Sequence, residues 1–126
     1  MIVSEIMNRV ATIPKNVMIQ HAAKIMSREG IGSLVLMTNG KAKGIITERD
    51  IIKNIDKIHR KISSVMSKKL ITVDGWAELE EVASVMNKRG IKRVLVRGKK
   101  KEIIGIVTAT DMIANADLLN QDLDLI

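Results

Sequence analysis

Two stretches place a threonine and an aspartate three residues apart, behind a glycine and two aliphatics. They are "GIITERD", Gly44 to Asp50, and "GIVTATD", Gly105 to Asp111. Threonine followed three residues on by an acid, ahead of an apolar helical run, has the form of a capping box, in which each member satisfies a backbone donor of the other. The same atoms suit a ligand. A carboxylate at a strand-to-helix junction can accept hydrogen bonds from both hydroxyls of a ribose, and a threonine hydroxyl beside free helix amides can meet phosphate. The aliphatic pairs Ile45-Ile46 and Ile106-Val107 offer an apolar wall for a base. On the heptapeptide alone, helix cap and nucleotide contact both stand.

The repetition extends well beyond the heptapeptide. Ala23, Met26, Gly30 and Ile31 recur as Ala83, Met86, Gly90 and Ile91 at an offset of 60, whereas Gly44, Thr47 and Asp50 recur at 61, so one residue is inserted between the later strands. Upstream, Met7 answers Met66 and Thr12 answers Thr72. A period this long covering nearly the whole chain marks a duplicated structural unit. Ile19, Ala22, Ala23 and Met26 follow helical spacing, as do Leu79, Val82, Ala83 and Met86. Gly30 and Gly90 close those helices. The spacing then predicts short strands over Leu34 to Met37 and Gly44 to Thr47, and over Val94 to Arg97 and Ile103 to Thr108. Turns at "TNGKAK" and "GKKKE" separate them, and a second helix starts at each repeated threonine. With brief extended stretches at Ala11 to Ile13 and Ile71 to Val73, each half reads βαββα.

The expected fold class is therefore α/β (α+β), with repeats over residues 1–58 and 59–126 packed as one pseudo-twofold module. A unit of about 60 residues buries only about 60% of its unfolded surface, which predicts a core shared through the sheets. The junction Asp56 to Ser64 lacks Gly and Pro and reads as a connector rather than a flexible linker.

Composition narrows the functions. The 126 residues are 46% hydrophobic and 28% charged, as in a soluble globular domain. No charged-then-apolar leader opens the chain and no apolar run approaches a membrane span, so a cytoplasmic address without membrane contact is expected. Zero cysteines exclude disulfides and thiolate chemistry. The net charge of +7 favours polyanions. With one Trp and no Phe or Tyr, a base must be held between aliphatics rather than on aromatic platforms. His21 and His59 lack partners at ligand spacing, and no Ser-His-Asp set, metal cluster or Walker loop is present. The eight methionines read as helix-face core. Trp76 reads as the start of the second repeat's helix and a packing or dimer contact, and Arg97 to Glu102 reads as a charged hairpin tip. The tail Ala116 to Ile126 is acidic and amphipathic, open to fraying or to a dimer or partner contact.

The doubled βαββα unit closed by Gly-aliphatic-aliphatic-Thr-x-x-Asp resembles the cystathionine-β-synthase-type (CBS) domain pair, or Bateman module, over essentially the entire chain. The resemblance implies a stand-alone regulatory module, without catalytic residues, metal or catalytic cofactor, that binds AMP, ADP, ATP or S-adenosylmethionine in clefts between the repeats. One cleft would combine Ile106, Thr108, Thr110 and Asp111 with Val10, Ala11, Ile31 and Gly32. The other would combine Ile45, Thr47, Arg49 and Asp50 with Leu70, Ile71, Ile91 and Lys92. Backbone at Ala11 and Ile71 would read the adenine edge. Arg49, Lys92 and Arg93 gather at the Asp50 cleft where its counterpart has Thr110, Gly32 and Ser33, so phosphorylated adenosine is expected at Asp50, with Arg93 in reach of a phosphate in either cleft. A homodimer and a regulated protein partner are also implied. The alternative is a basic nucleic-acid-binding or scaffolding protein on the same fold.

Overall fold

A computed structural model describes the backbone of residues 1–124 and the side-chain surroundings of residues 1–116. The side chains of the acidic tail beyond Ala116 lie outside the described residues. The chain forms two compact units, one of Val10–Leu70 and one of Met1–Arg9 with the chain from Ile71 onward.

The first unit runs β1 (Thr12–Ile13), α1 (Ile19–Glu29), β2 (Ser33–Thr38), β3 (Lys41–Thr47) and α2 (Glu48–Lys53). In the second, the same order gives β4 (Thr72–Asp74), α3 (Leu79–Arg89), β5 (Arg93–Arg97), β6 (Ile103–Thr108) and α4 (Ala109–Asp124). Each unit has one three-stranded sheet, β1-β2-β3 or β4-β5-β6, with a parallel pair followed by an antiparallel one. The fold is thus mixed α+β, with the predicted βαββα order in both halves.

The registers repeat with the sequence. Thr12 pairs with Val35 and Thr72 with Leu95, and the strands bulge at Leu36/Met37 and again at Val96/Arg97. The extra residue sits in the second hairpin. Asn39 and Gly40, at φ 53° and 75°, make a two-residue turn between Thr38 and Lys41. Both residues take the positive φ that matches the twist of the flanking strands. In β5-β6 the Gly98 amide donates to the Glu102 carbonyl at 2.8 Å around a three-residue loop ending at Lys101, φ 64°. A three-residue loop of this kind closes on a left-handed residue.

The helices bury one stripe each: Ile19, Ala22 and Met26 in α1, and Leu79, Val82 and Met86 in α3. Ala83, predicted on that face, is exposed. Gly30 and Gly90 end the helices at φ 65° and 63°, where the amides of Ile31 and Ile91 donate back to Met26 and Met86 at 3.0 Å. That bond spans the last turn, and only a residue tolerant of left-handed backbone closes it without strain.

Neither α1 nor α3 has a side-chain cap; a strap of chain supplies backbone acceptors instead. Ile19 donates to the Arg60 carbonyl at 2.8 Å and Gln20 to Ile58 at 2.9 Å, and Leu79 donates to Met1 at 3.2 Å. Ile62 bonds back to Val17, and Val3 to Ala77, each at 2.8 Å. The connector Asp56 to Ser64 is therefore an ordered strap with short 3-10 turns at Ile55–Lys57 and Ile62–Ser64, matched by Val3–Glu5 in the other unit. The straps complete the cores: Ile62 and Val3 are fully buried.

The buried residues include two clusters, one in each unit. One holds Ile13, Ile19, Ala22, Met26, Leu34, Leu36, Ile46, Ile51 and Ile62; the other is built around Val3, Val73, Leu79, Val82, Met86, Val94, Val96 and Val107. In each cluster a strap residue, Ile62 or Val3, adds apolar surface to a βαββα unit that is marginal at this size.

The straps end on the repeated glycines. Ser67 and Ile45 exchange backbone hydrogen bonds at 2.9 Å in both directions, and Asn8 and Ile106 do so at 2.8 and 2.9 Å. Next to each bridge a methionine lies over the glycine, Met66 on Gly44 and Met7 on Gly105. Met26 and Met86 are buried in the cores, and Met7, Met66 and Met112 pack against them partly buried, whereas Met1 and Met18 are exposed.

A Cβ at Gly44 would meet the flexible end of Met66, with Sδ at 2.7 Å, whereas at Gly105 it would also meet the stem of Met7, with Cβ at 3.0 Å. Overpacking costs about 1–3 kcal/mol. In urea denaturation, Gly105→Ala is expected to lose more stability than Gly44→Ala, and adding Met7→Ala to Gly105→Ala is expected to recover part of that loss.

Candidate functional site

The third strand of each sheet runs straight into a helix, and the repeated Thr and Asp sit at that junction. Thr47 caps α2 reciprocally: its amide donates to Asp50 Oδ2 at 2.9 Å, and the Asp50 amide donates to Thr47 Oγ1 at 3.3 Å. Thr108 and Asp111 repeat the arrangement at 2.8 and 3.2 Å. The capping reading of the motif is therefore satisfied in both halves. It leaves room for the other reading, because every hydrogen bond to either carboxylate falls on Oδ2 and neither Oδ1 has a partner among the described residues. Both aspartates are half-buried.

The alternation of the strand divides the aliphatic pairs. Ile46 and Val107 belong to the cores, so the wall beside each motif reduces to Ile45 and Ile106 on the opposite face. Glycine and lysine carbonyls tie the preceding loops to the junctions, with Glu48 donating to Gly32 at 3.0 Å and Ala109 to Lys92 at 2.7 Å. Ile31 and Ile91 follow the glycine caps and are half-buried.

The first strands bring Ala11 and Ile71 alongside. Their carbonyls accept from Val35 and Leu95 at 2.9 and 3.0 Å, while their amides make no backbone hydrogen bond among the described residues. Val10 and Leu70, one residue before, are half-buried. The unit Val10–Leu70 thus gathers Val10, Ala11, Ile31, Gly32, Ile45, Thr47, Arg49, Asp50 and Leu70, and the other gathers Ile71, Ile91, Lys92, Arg93, Ile106, Thr108, Thr110 and Asp111.

The cations are distributed differently in the two units. Arg49 is exposed beside Asp50, and its counterpart Thr110 is exposed beside Asp111. Arg93 pairs across the strands with Thr108, where the first unit pairs Ser33 with Thr47. Directly paired residues face the same side of a sheet, so Arg93 shares a face with Thr108, and it forms no ion pair among the described residues. Lys92 is exposed.

Three asparagines escaped the sequence reading. Asn54 and Asn115 donate to the carbonyls of Asp50 and Asp111 at 2.7 and 2.8 Å and so fasten the first turn after each motif. Their signal was present, since they recur at the same offset of 61 as the aspartates. Asn8 donates to Asp111 Oδ2 at 2.9 Å, and a bond across 103 residues has no local sequence signal. Trp76 lies in the turn before α3 rather than in the helix and is 53% exposed, so it is not a core packing residue. The hairpin tip Lys99 to Lys101 is exposed, and Arg97 is held by Asp74 and Thr72. His21 and His59 are exposed.

Two three-stranded units, each ending in a Thr-Asp junction whose Oδ1 has no partner among the described residues, define a tandem-repeat protein with two matching strand-to-helix motifs. The CBS domain model matches residues 3–57 and 62–117, and the chain belongs to that family. It is 30% identical over 111 residues to the CBS domain-containing protein YhcV of Bacillus subtilis, covering 85% of this chain and 79% of that one. It is also 30% identical over 102 residues to the uncharacterized protein MJ1232 of Methanocaldococcus jannaschii, covering 81% of this chain but only 34% of that longer protein. Among solved structures, the CBS domain pair of protein MJ0100, in complex with 5-methylthioadenosine and S-adenosyl-L-methionine, superposes with a TM-score of 0.82 at 31% identity, covering 90% of this chain and 98% of that one. Among the described residues, no helix is long and apolar enough to cross a membrane.

Loss of a threonine cap costs about 0.5–2 kcal/mol. Thr47→Ala and Thr108→Ala are each expected to lower stability in urea by about 1 kcal/mol without ligand, because the cap is made whether or not a site is occupied.

Proposed function

We propose that this chain is a regulatory module that binds adenosine-containing ligands and has no chemistry of its own. The observation that carries the reading is the free Oδ1 on Asp50 and on Asp111, two half-buried acceptors held rigid by their caps. A ribose hydroxyl is a fitting donor to such an oxygen. The 31% identity to a CBS pair that holds two adenosine compounds supports the same chemistry here. The unbonded amides of Ala11 and Ile71 suit the adenine edge, and Ile45 and Ile106 suit its faces.

In this reading each half-site is built on the Thr-Asp motif of one repeat. Arg49 beside Asp50 has the uncharged Thr110 as its counterpart at Asp111, and phosphorylated adenosine prefers the Asp50 site, since hydrogen bonds to ionised groups contribute about 1.5–3 kcal/mol each. Occupancy shifts the population of module conformations through its differential affinity for them, and a protein partner in the cytoplasm reads that shift. The module pairs as a homodimer through α2 and α4, supported by the exposed Ile52 and Ile113, 70% and 72% accessible at matched positions of the repeat.

A thermal-shift panel of AMP, ADP, ATP and S-adenosylmethionine is expected to raise the melting temperature with at least one compound, since ligand at 100 times Kd adds about 2.7 kcal/mol. No shift across the panel, together with salt-sensitive retention on DNA or RNA through Lys99 to Lys101, would favour the nucleic-acid reading instead. By calorimetry, Asp50→Ala is expected to weaken AMP more than Asp111→Ala. Both variants lose the bond from the threonine amide to the aspartate, so the difference, corrected for each variant's ligand-free stability, reports the ligand; equal losses would remove the asymmetry. Ile52→Glu with Ile113→Glu is expected to shift the species seen in sedimentation from dimer to monomer.

A further inference from the structure

The two Thr-Asp junctions differ at one hydrogen. At Asp50 the second bond to Oδ2 comes from within the cap: the Thr47 hydroxyl donates to it at 3.1 Å. At Asp111 that place is taken from outside, by Asn8 Nδ2 at 2.9 Å, and the Thr108 hydroxyl makes no such donation among the described residues. The strap holds Asn8 in register, since its backbone exchanges two hydrogen bonds with Ile106 and its neighbour Met7 lies on Gly105. Ser67 occupies the equivalent place opposite Ile45, but its hydroxyl turns to the Lys69 carbonyl at 3.3 Å and leaves Asp50 alone.

We infer that Asn8 is a positioning residue for the Asp111 half-site: by donating to Asp111 Oδ2 it releases the Thr108 hydroxyl proton for a ligand. A hydroxyl has one proton to give and lone pairs to accept with. The Thr47 hydroxyl spends its proton on Asp50, so that half-site offers a ligand one acceptor, Asp50 Oδ1. The Asp111 half-site offers an acceptor, Asp111 Oδ1, and a donor, the Thr108 O–H, side by side. A ligand hydroxyl can donate to the first and accept from the second at once. The Asp111 half-site is thereby the better receptor for the sugar of an unphosphorylated nucleoside. Asn8 is exposed, so its removal leaves the fold intact. The inference rests on the adenosine-binding reading, and it is specific to one half-site.

The test is an NMR titration with adenosine, and in parallel with AMP, following the backbone amides of Asp111 and Asp50 separately in wild type, Asn8→Ala and Ser67→Asn. Asn8→Ala is expected to weaken adenosine at the Asp111 amide by about three- to tenfold, the size of one hydrogen bond. The Asp50 amide and the ligand-free melting temperature should be unmoved. Ser67→Asn is expected to strengthen adenosine at the Asp50 amide by a similar factor, a gain that a merely structural role for Asn8 does not produce. If wild type binds adenosine but neither variant changes the affinity at its own site, the role of Asn8 is overturned and the ligand reading survives. An Asn8→Ala loss that is equal at both amides, or that tracks a lower melting temperature, overturns the positioning role in favour of a structural one. If wild type binds neither adenosine nor AMP, the ligand reading falls and this inference with it.

Discussion

One carboxylate oxygen in each half, Oδ2 of Asp50 or of Asp111, holds the junction on which both the fold and the candidate site depend. It accepts the threonine amide at the end of the third strand, while the threonine hydroxyl oxygen accepts the aspartate amide in the helix's first turn, so the strand stops where the helix begins. Because that oxygen is committed, the carboxylate cannot rotate, and its other oxygen is presented in a fixed direction. In the proposed function, cap and ligand contact are two uses of one group. Asn54 and Asn115 stiffen the same turn through the aspartate carbonyls, which keeps the free oxygen in place when no ligand is bound.

A second constraint is size. A βαββα unit of about 60 residues is marginal in the surface it buries, and each unit here adds a strap to its core. Ile62 fills one core and Val3 the other, while strap carbonyls cap α1 and α3, whose own N-cap positions, Met18 and Glu78, provide no side-chain cap to the helix. The glycines of the two motifs then have a steric reason: Met66 and Met7 cross the strand where a side chain would stand. The strap that packs into one unit's core also carries Asn8 to Asp111, so a packing device and a contact to the Thr-Asp junction lie on one short segment.

Duplication made the two halves alike, and later substitutions separated them. The hairpins differ by one loop residue, and with it the first takes an Asn-Gly turn and the second a lysine-rich loop. Arg49 against Thr110, Ser33 against Arg93 and Ser67 against Asn8 all fall at the motif rather than in the core. Core positions are constrained by shape in both units, as Ile46 and Val107 or Met26 and Met86 illustrate. The junction surface carries no such constraint, and there the halves diverge in charge and in hydrogen-bond sense.

What the sequence by itself determined is local: the two helices ending at Gly30 and Gly90, the paired strands, the Thr-Asp caps and the single inserted residue. Each of these follows from periodicity, from glycine's backbone freedom or from a side chain reaching three residues along, and the repeat let one half check the other. Tertiary structure decided the rest. Which of Ile45 and Ile46 enters the core depends on the face the sheet turns to its helix. That the connector Asp56 to Ser64 is a strap, that Met7 and Met66 cover glycines rather than fill helix faces, and that Ala83 is exposed all depend on what packs against them. Asn8 is the clearest case. Its bond to Asp111 joins residues at opposite ends of the chain, and a side chain's partner at that distance is set by where the backbone returns in space, a property that no local pattern of residues records.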